Sequence, residues 1–113
     1  MMENLLLSGT SINKLKMEFE NLKQVPFPKT PTSDSLYDIF SEIVELDGHI
    51  AGLVSSLIRG NMVQRKLVFI DEGLNDKINS YITTNPNEAE ELLTYRDYKA
   101  ELDKLTKIIL ECA

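Results

Sequence analysis

Apolar residues recur at helical spacing in four stretches of the chain. In the first, Ile12, Leu15, Phe19 and Leu22 follow one another at intervals of three, four and three, which predicts an amphipathic helix over about 10–24. The second pattern is the longest: Leu36, Ile39, Ile43, Leu46, Ile50, Leu53 and Leu57. Phe40, Val54 and Ile58 widen its stripe, so a helix over 34–59 is expected to be the central packing element. Ser33 or Asp34 can cap its start, and Gly60 stands where a left-handed C-terminal cap belongs.

In the third stretch Val63, Leu67, Ile70, Leu74, Ile78 and Tyr81 share one face of a helix over 62–83, opened by Asn61 and Gln64 at capping-box spacing. Val68-Phe69-Ile70 is prone to β structure, but a strand needs a partner and the sequence offers no second candidate, so a helix is favoured. The fourth begins at Asn85-Pro86-Asn87-Glu88, an N-cap, a proline at the first helical position and a capping acid. A helix over 86–111 follows, with Tyr95, Tyr98, Leu102, Leu105 and Ile109 as its seam. Glu88, Glu90 and Glu91 complement the helix dipole at its start, and Lys99, Lys104 and Lys107 lie in its later turns.

The links between these stretches set the topology. Val25-Pro26-Phe27-Pro28-Lys29-Thr30-Pro31 holds three prolines in six residues, which forbids helix and favours a stiff connector across the bundle over a recognition motif for an aromatic groove. Short links at 60–61 and 84–85 make helices two, three and four antiparallel neighbours. The connector leaves the first helix free to return along the bundle or to dock across its end. The expected fold is an all-α, four-helix bundle-like single domain over 1–113.

Composition narrows the class. A chain of 113 residues, 42% hydrophobic and 27% charged, has the size and balance of one globular domain. Cys112 is its only cysteine, so no intramolecular disulfide can form. Leu5-Leu6-Leu7, preceded by Glu3, is too short and wrongly charged for a signal peptide. The stretch from Ile50 to Ile58, broken by Gly52, Ser55 and Ser56, is too short to span a bilayer. A soluble, cytoplasmic protein is expected. The net charge of −6 and pI near 4.7 argue against nucleic acid and anionic membranes and are compatible with a basic protein partner.

Candidate chemistry is sparse. His49 is the only histidine, with Glu45 one turn before it, and a single such pair is a weak metal site; neither metal nor cofactor is expected. Cys112 is next to the end of the chain, and any nucleophilic serine would have only His49 as base. Gly48 and Gly52 do not belong to a phosphate loop, because no strand precedes them and no Lys-Ser or Lys-Thr follows. No enzymatic activity is therefore expected.

Three features stand out instead. Asp47 falls at the edge of the apolar arc beside Leu36, Phe40, Val54 and Ile58, where a carboxylate needs a cation or a donor; Arg96 or a lysine of a neighbouring helix is its expected partner. Asp34, Asp38, Glu42 and Glu45 form an acidic stripe, with no Lys or Arg between Lys29 and Arg59. Gly48, Gly52, Ser55 and Ser56 continue along that side. Glycine within a helix costs about 1 kcal/mol relative to alanine, so the two predict close approach by another segment, packing within the chain being favoured. Finally, Met62, Phe69 and Gly73 share a side of the expected third helix that its main stripe does not use, a candidate homodimer contact.

The leading expectation is a non-enzymatic protein–protein interaction module, of the small acidic inhibitor or immunity type, covering a basic surface through Asp38, Glu42, Glu45, His49 and Gly52. A second reading is a small-molecule or nucleotide-binding bundle with a pocket near Asp47, Arg59 and Tyr95. A third is a structural homo-oligomer, a phage or cell accessory subunit.

Overall fold

A computed structural model describes the backbone of residues 2–112 and the side chains of 11–112. The structure is 80% helical, and the described residues form four α-helices: α1 (Met2–Gln24), α2 (Asp34–Ile58), α3 (Glu72–Thr84) and α4 (Ala89–Cys112). No strand occurs among the described residues, and no helix there is long and apolar enough to cross a membrane.

α2 follows its pattern closely. Ser33 caps it, its hydroxyl accepting from the Ser35 amide at 3.3 Å. Gly60 ends it at φ +85°, where the Gly60 amide donates to Leu57 O and the Asn61 amide to Ser56 O. Only glycine adopts that φ without strain. Leu36, Ile39, Ile43, Ile50 and Val54 are buried along its inner face.

The hub of the bundle is α4, not α2: both helices touch all the others, but α1 and α3 each pack far more extensively on α4 than on α2. Phe40 meets Tyr95 and Asp47 meets Tyr98, so α2 and α4 run parallel. Lys14 reaches Glu111, and Asn75 reaches Asp103 while Asn79 lies near Arg96, which sets α1 and α3 antiparallel to α4. Consecutive helices alternate in direction, as expected for α2, α3 and α4, although the link from α2 to α3 runs over 59–71 and is not the short one expected from the sequence. The bundle is flattened, with α2 and α4 close on the short diagonal and α1 and α3 on the outer corners. α1 thus returns along the bundle, with Leu15 and Leu22 buried. It starts at Met2 rather than near residue 10; the side chains of Leu5, Leu6 and Leu7 lie outside the described residues.

The proline segment crosses the bundle as a connector. Pro28 and Pro31 are buried, the Phe27 ring stands edge-on to Tyr98 at 5.2 Å, and the Tyr95 hydroxyl donates to Lys29 O at 3.2 Å.

Two stretches depart from expectation. Residues 61–71 are not helical apart from a single 3-10 turn at Arg65–Leu67. β-branched and aromatic residues at 68–70 disfavour helix, and Asp71 supplies the better cap, its carboxylate accepting from the Leu74 amide at 3.0 Å. Val68 alone of this stretch is buried, whereas Leu67 and Phe69 turn outward. The loop is held by Arg65, which donates to Leu110 O at 3.1 Å. Likewise Pro86–Glu88 is a 3-10 turn and α4 starts at Ala89. The Asn85 side chain donates backward to Tyr81 O instead of capping forward. The expected capping box is therefore not made, and Glu88 Oε2 is buried without a partner.

Candidate functional site

Where α2 passes the 61–71 loop, Glu42, Glu45, Leu46, His49, Phe69 and Asp71 line a shallow groove of about 330 Å³. α2 presents Glu42, Glu45 and His49 from successive turns, and the extended backbone at 68–70 lays Phe69 beside them. His49 Nε2 lies 2.8 Å from Leu67 O. A carbonyl only accepts, so Nε2 carries the proton and the imidazole pins the loop to α2. The His49 and Phe69 rings stand 6.3 Å apart at their centroids. Phe69 remains 55% exposed, a large aromatic that the core does not use.

Charge in the groove is mostly negative. Lys77 of α3 lies 3.3 Å from Glu42 and partly neutralises it. Asp38 and Glu45 make no ion pair among the described residues, and both are exposed. Asp71 is engaged in capping α3. An exposed ring with a carboxylate one side chain away suits a guanidinium or ammonium, which can stack on the ring and pair with the acid.

Other sequence-predicted residues are placed differently. Asp47 is half-buried, and its partner is neither Arg96 nor a lysine but the Tyr98 hydroxyl, which donates to Oδ1 at 2.5 Å. Arg96 instead makes an exposed contact with Asp97. Burial, and then the bond to Asp47, push the Tyr98 hydroxyl well above its ordinary value. Tyr95 faces Lys29, and Arg59 is the exposed residue that closes α2. Asp47, Arg59 and Tyr95 are thus not gathered into one groove. Burial, with the charges of Glu91 and Glu88, raises the Tyr95 hydroxyl to about 12.

Gly48 and Gly52 overturn the expectation of close packing within the chain: a β-carbon built at either meets no described atom within 4 Å. Met62, Phe69 and Gly73 do not form a helix face either. Met62 is in the loop and 97% exposed, Gly73 is in the first turn of α3, and Phe69 lies in the groove.

Sequence reasoning missed a polar cluster between α3 and α4. Lys99, expected as a dipole-complementing surface residue, is fully buried. Its Nζ lies 2.6 Å from Asp103 Oδ1 and 3.0 Å from Asn75 Oδ1, and Asn75 Nδ2 donates to Asp103 Oδ2 at 3.1 Å. The signal was present in the spacing, since Lys99 falls among Tyr95, Tyr98, Leu102 and Thr106 on the seam of α4 and has Asp103 one turn on. At the end of α4, burial and then Glu111 raise the Cys112 thiol, which lowers its thiolate content. Among the described residues no group of three His, Cys, Asp or Glu is placed to hold a metal ion. Comparison with known protein families, curated proteins and solved structures finds no match to this chain.

Proposed function

We propose that the chain is a non-enzymatic binding module whose groove beside α2 takes a basic segment of a protein partner. The observation that carries this reading is the exposed Phe69 ring held next to Glu45 and Glu42 by the His49–Leu67 bond. A solvent-facing phenyl group forfeits roughly 1.5–3 kcal/mol of available burial, and the surrounding acids favour a cationic cover for it. An inhibitor or immunity-type protein, which masks a basic surface of its target, is the specific form in this class that a net charge of −6 suits best.

The reading is tested with arginine-rich peptides carrying interleaved apolar residues, against neutral and acidic peptides of equal length, by fluorescence anisotropy. Only the basic peptides should bind, with affinity falling as salt rises. Reversing Glu42 and Glu45 to lysine should abolish binding, and Phe69→Ala should weaken it about tenfold or more. Equal binding of basic and neutral peptides, or a double reversal that binds as tightly as the wild type, would reject the groove.

A further inference from the structure

The outer face of α2 lies about a quarter turn round the helix from the groove, and the bundle leaves it uncovered. Tyr37 is 52% exposed and Val44 39% exposed, and between Lys29 and Arg59 no Lys or Arg interrupts the helix. At 100° per residue, Tyr37, Ser41, Val44, Gly48, Gly52, Ser55 and Arg59 fall within one narrow arc of it. Their spacings read four, three, four, four, three, four, the same in both directions from Gly48.

We propose that this face pairs with the same face of a second copy, the two α2 helices antiparallel and crossing at Gly48. About that axis each residue meets its mirror position. Gly48 meets Gly48, which lets the backbones approach closely. Val44 of one copy stands over Gly52 of the other, a knob opposite a position with no side chain. Ser41 faces Ser55, two small hydroxyls able to bond to each other. Tyr37 faces Arg59, whose guanidinium reaches both the ring and the nearby Asp34 and Asp38 carboxylates.

Shape and charge therefore match under a twofold axis, as an isologous interface requires. A parallel pairing would bring Tyr37 to Tyr37, Val44 to Val44 and the acidic halves together. Antiparallel pairing instead sets each acidic N-terminal half against the only cation of the partner face. A β-carbon at Gly48 or Gly52 would meet no described neighbour within 4 Å, so packing within the chain does not account for the missing side chains. The contact is one helix pair about 33 Å long, at the small end of specific interfaces, so a dimer of micromolar rather than nanomolar strength is expected.

Sedimentation velocity from low to high micromolar concentration tests this. The wild-type chain should pass from monomer to dimer, and Gly48→Leu should weaken association by about a hundredfold or more. Gly48 is exposed, a β-carbon there meets no described neighbour within 4 Å, and leucine is the better helix former, so the variant should keep its circular dichroism spectrum and its melting temperature. Register is tested by oxidation in a Cys112→Ser background, because a disulfide needs α-carbons within about 7 Å. Gly48→Cys should link to itself, and Val44→Cys should link to Gly52→Cys in a mixture in preference to itself. A wild type that stays monomeric, a dimer indifferent to Gly48→Leu, or Val44→Cys that prefers itself would each overturn the proposal. Phe69→Ala should leave dimerisation unchanged, which separates this face from the peptide-binding groove.

Discussion

Replacing Lys99 by methionine tests whether the polar cluster between α3 and α4 is integral to the fold. The change keeps the length of the side chain and removes its charge and its three donors. In the native chain Nζ is bonded to Asp103 at 2.6 Å and Asn75 at 3.0 Å, with 1% of the lysine side chain and 17% of the aspartate exposed. Removing one member of a buried ion pair typically costs about 3–5 kcal/mol, because the remaining charge is stranded. Asp103 keeps some contact with water and one bond from Asn75, so Lys99→Met should cost about 2–4 kcal/mol, somewhat less than that full cost. Asp103→Leu should cost at least as much, since the enclosed ammonium then has only Asn75 as acceptor. The double variant removes both charges and should recover to within roughly 1 kcal/mol of the wild type, as apolar replacements of whole buried pairs do. Equilibrium urea unfolding followed by circular dichroism gives all four corners of the cycle, provided the m-value holds constant. A cost below about 1 kcal/mol for Lys99→Met, or single-site costs that simply add, would refute the claim that Lys99 and Asp103 act as a unit.

Two further outcomes follow from the tyrosines of α4. Tyr98→Phe should cost about 1–2 kcal/mol in the same assay, because it leaves the half-buried Asp47 carboxylate without its donor; a neutral effect would mean that water replaces the hydroxyl. Tyr95 ionises near 12 in the folded chain against an ordinary value of 10, and Tyr98 is raised further. Below pH 10 both hydroxyls are neutral in either state and stability is fully present. Above it the unfolded chain gives up protons that the folded chain keeps, so stability should fall as pH rises from 10 to 12. The Tyr95→Phe, Tyr98→Phe double variant should flatten that limb of a melting-temperature profile, and identical slopes would contradict the assignment.

α2 was legible in the sequence because one physical cause, burial of a single face, acts along its whole length and leaves an uninterrupted pattern. The 61–71 stretch misled for the converse reason. Val63, Leu67, Ile70 and Leu74 satisfy the helical period by residue type, yet within 61–71 only Val68, off that face, is buried. Periodicity counts apolar residues and is blind to the weak helix preference of Val68-Phe69-Ile70 and to the stronger cap at Asp71. Asp47 was recognisable as a carboxylate in an apolar arc, but its partner was not. Tyr98 reaches it only because two helices that are not consecutive run parallel in a register no local pattern encodes. In the groove, Glu42, Glu45 and His49 were legible as one helix face, whereas Phe69 joined them only through the loop.

The side chains that hold the bundle in register are concentrated on α4. Tyr95 bonds the connector, Tyr98 bonds α2, and Lys99 with Asp103 bonds α3. A seam of leucine and isoleucine tolerates a slip of one turn, since one branched side chain can replace another. A slip here would leave a carboxylate, an ammonium and two hydroxyls without partners in largely dry surroundings, so the polar contacts select the register that apolar packing only makes stable. Register once fixed by α4, several positions on the outward side of α2 and on the loop beside it contribute nothing to the packing. Gly48 and Gly52 sit there although alanine would hold the helix better, Phe69 remains in water although burial would stabilise it, and Asp38 and Glu45 stand without cations. Each of these is unfavourable for folding, and all lie on one flank of the molecule. A flank that departs from what stability favours at so many adjacent positions is the flank whose sequence answers to contact with another molecule.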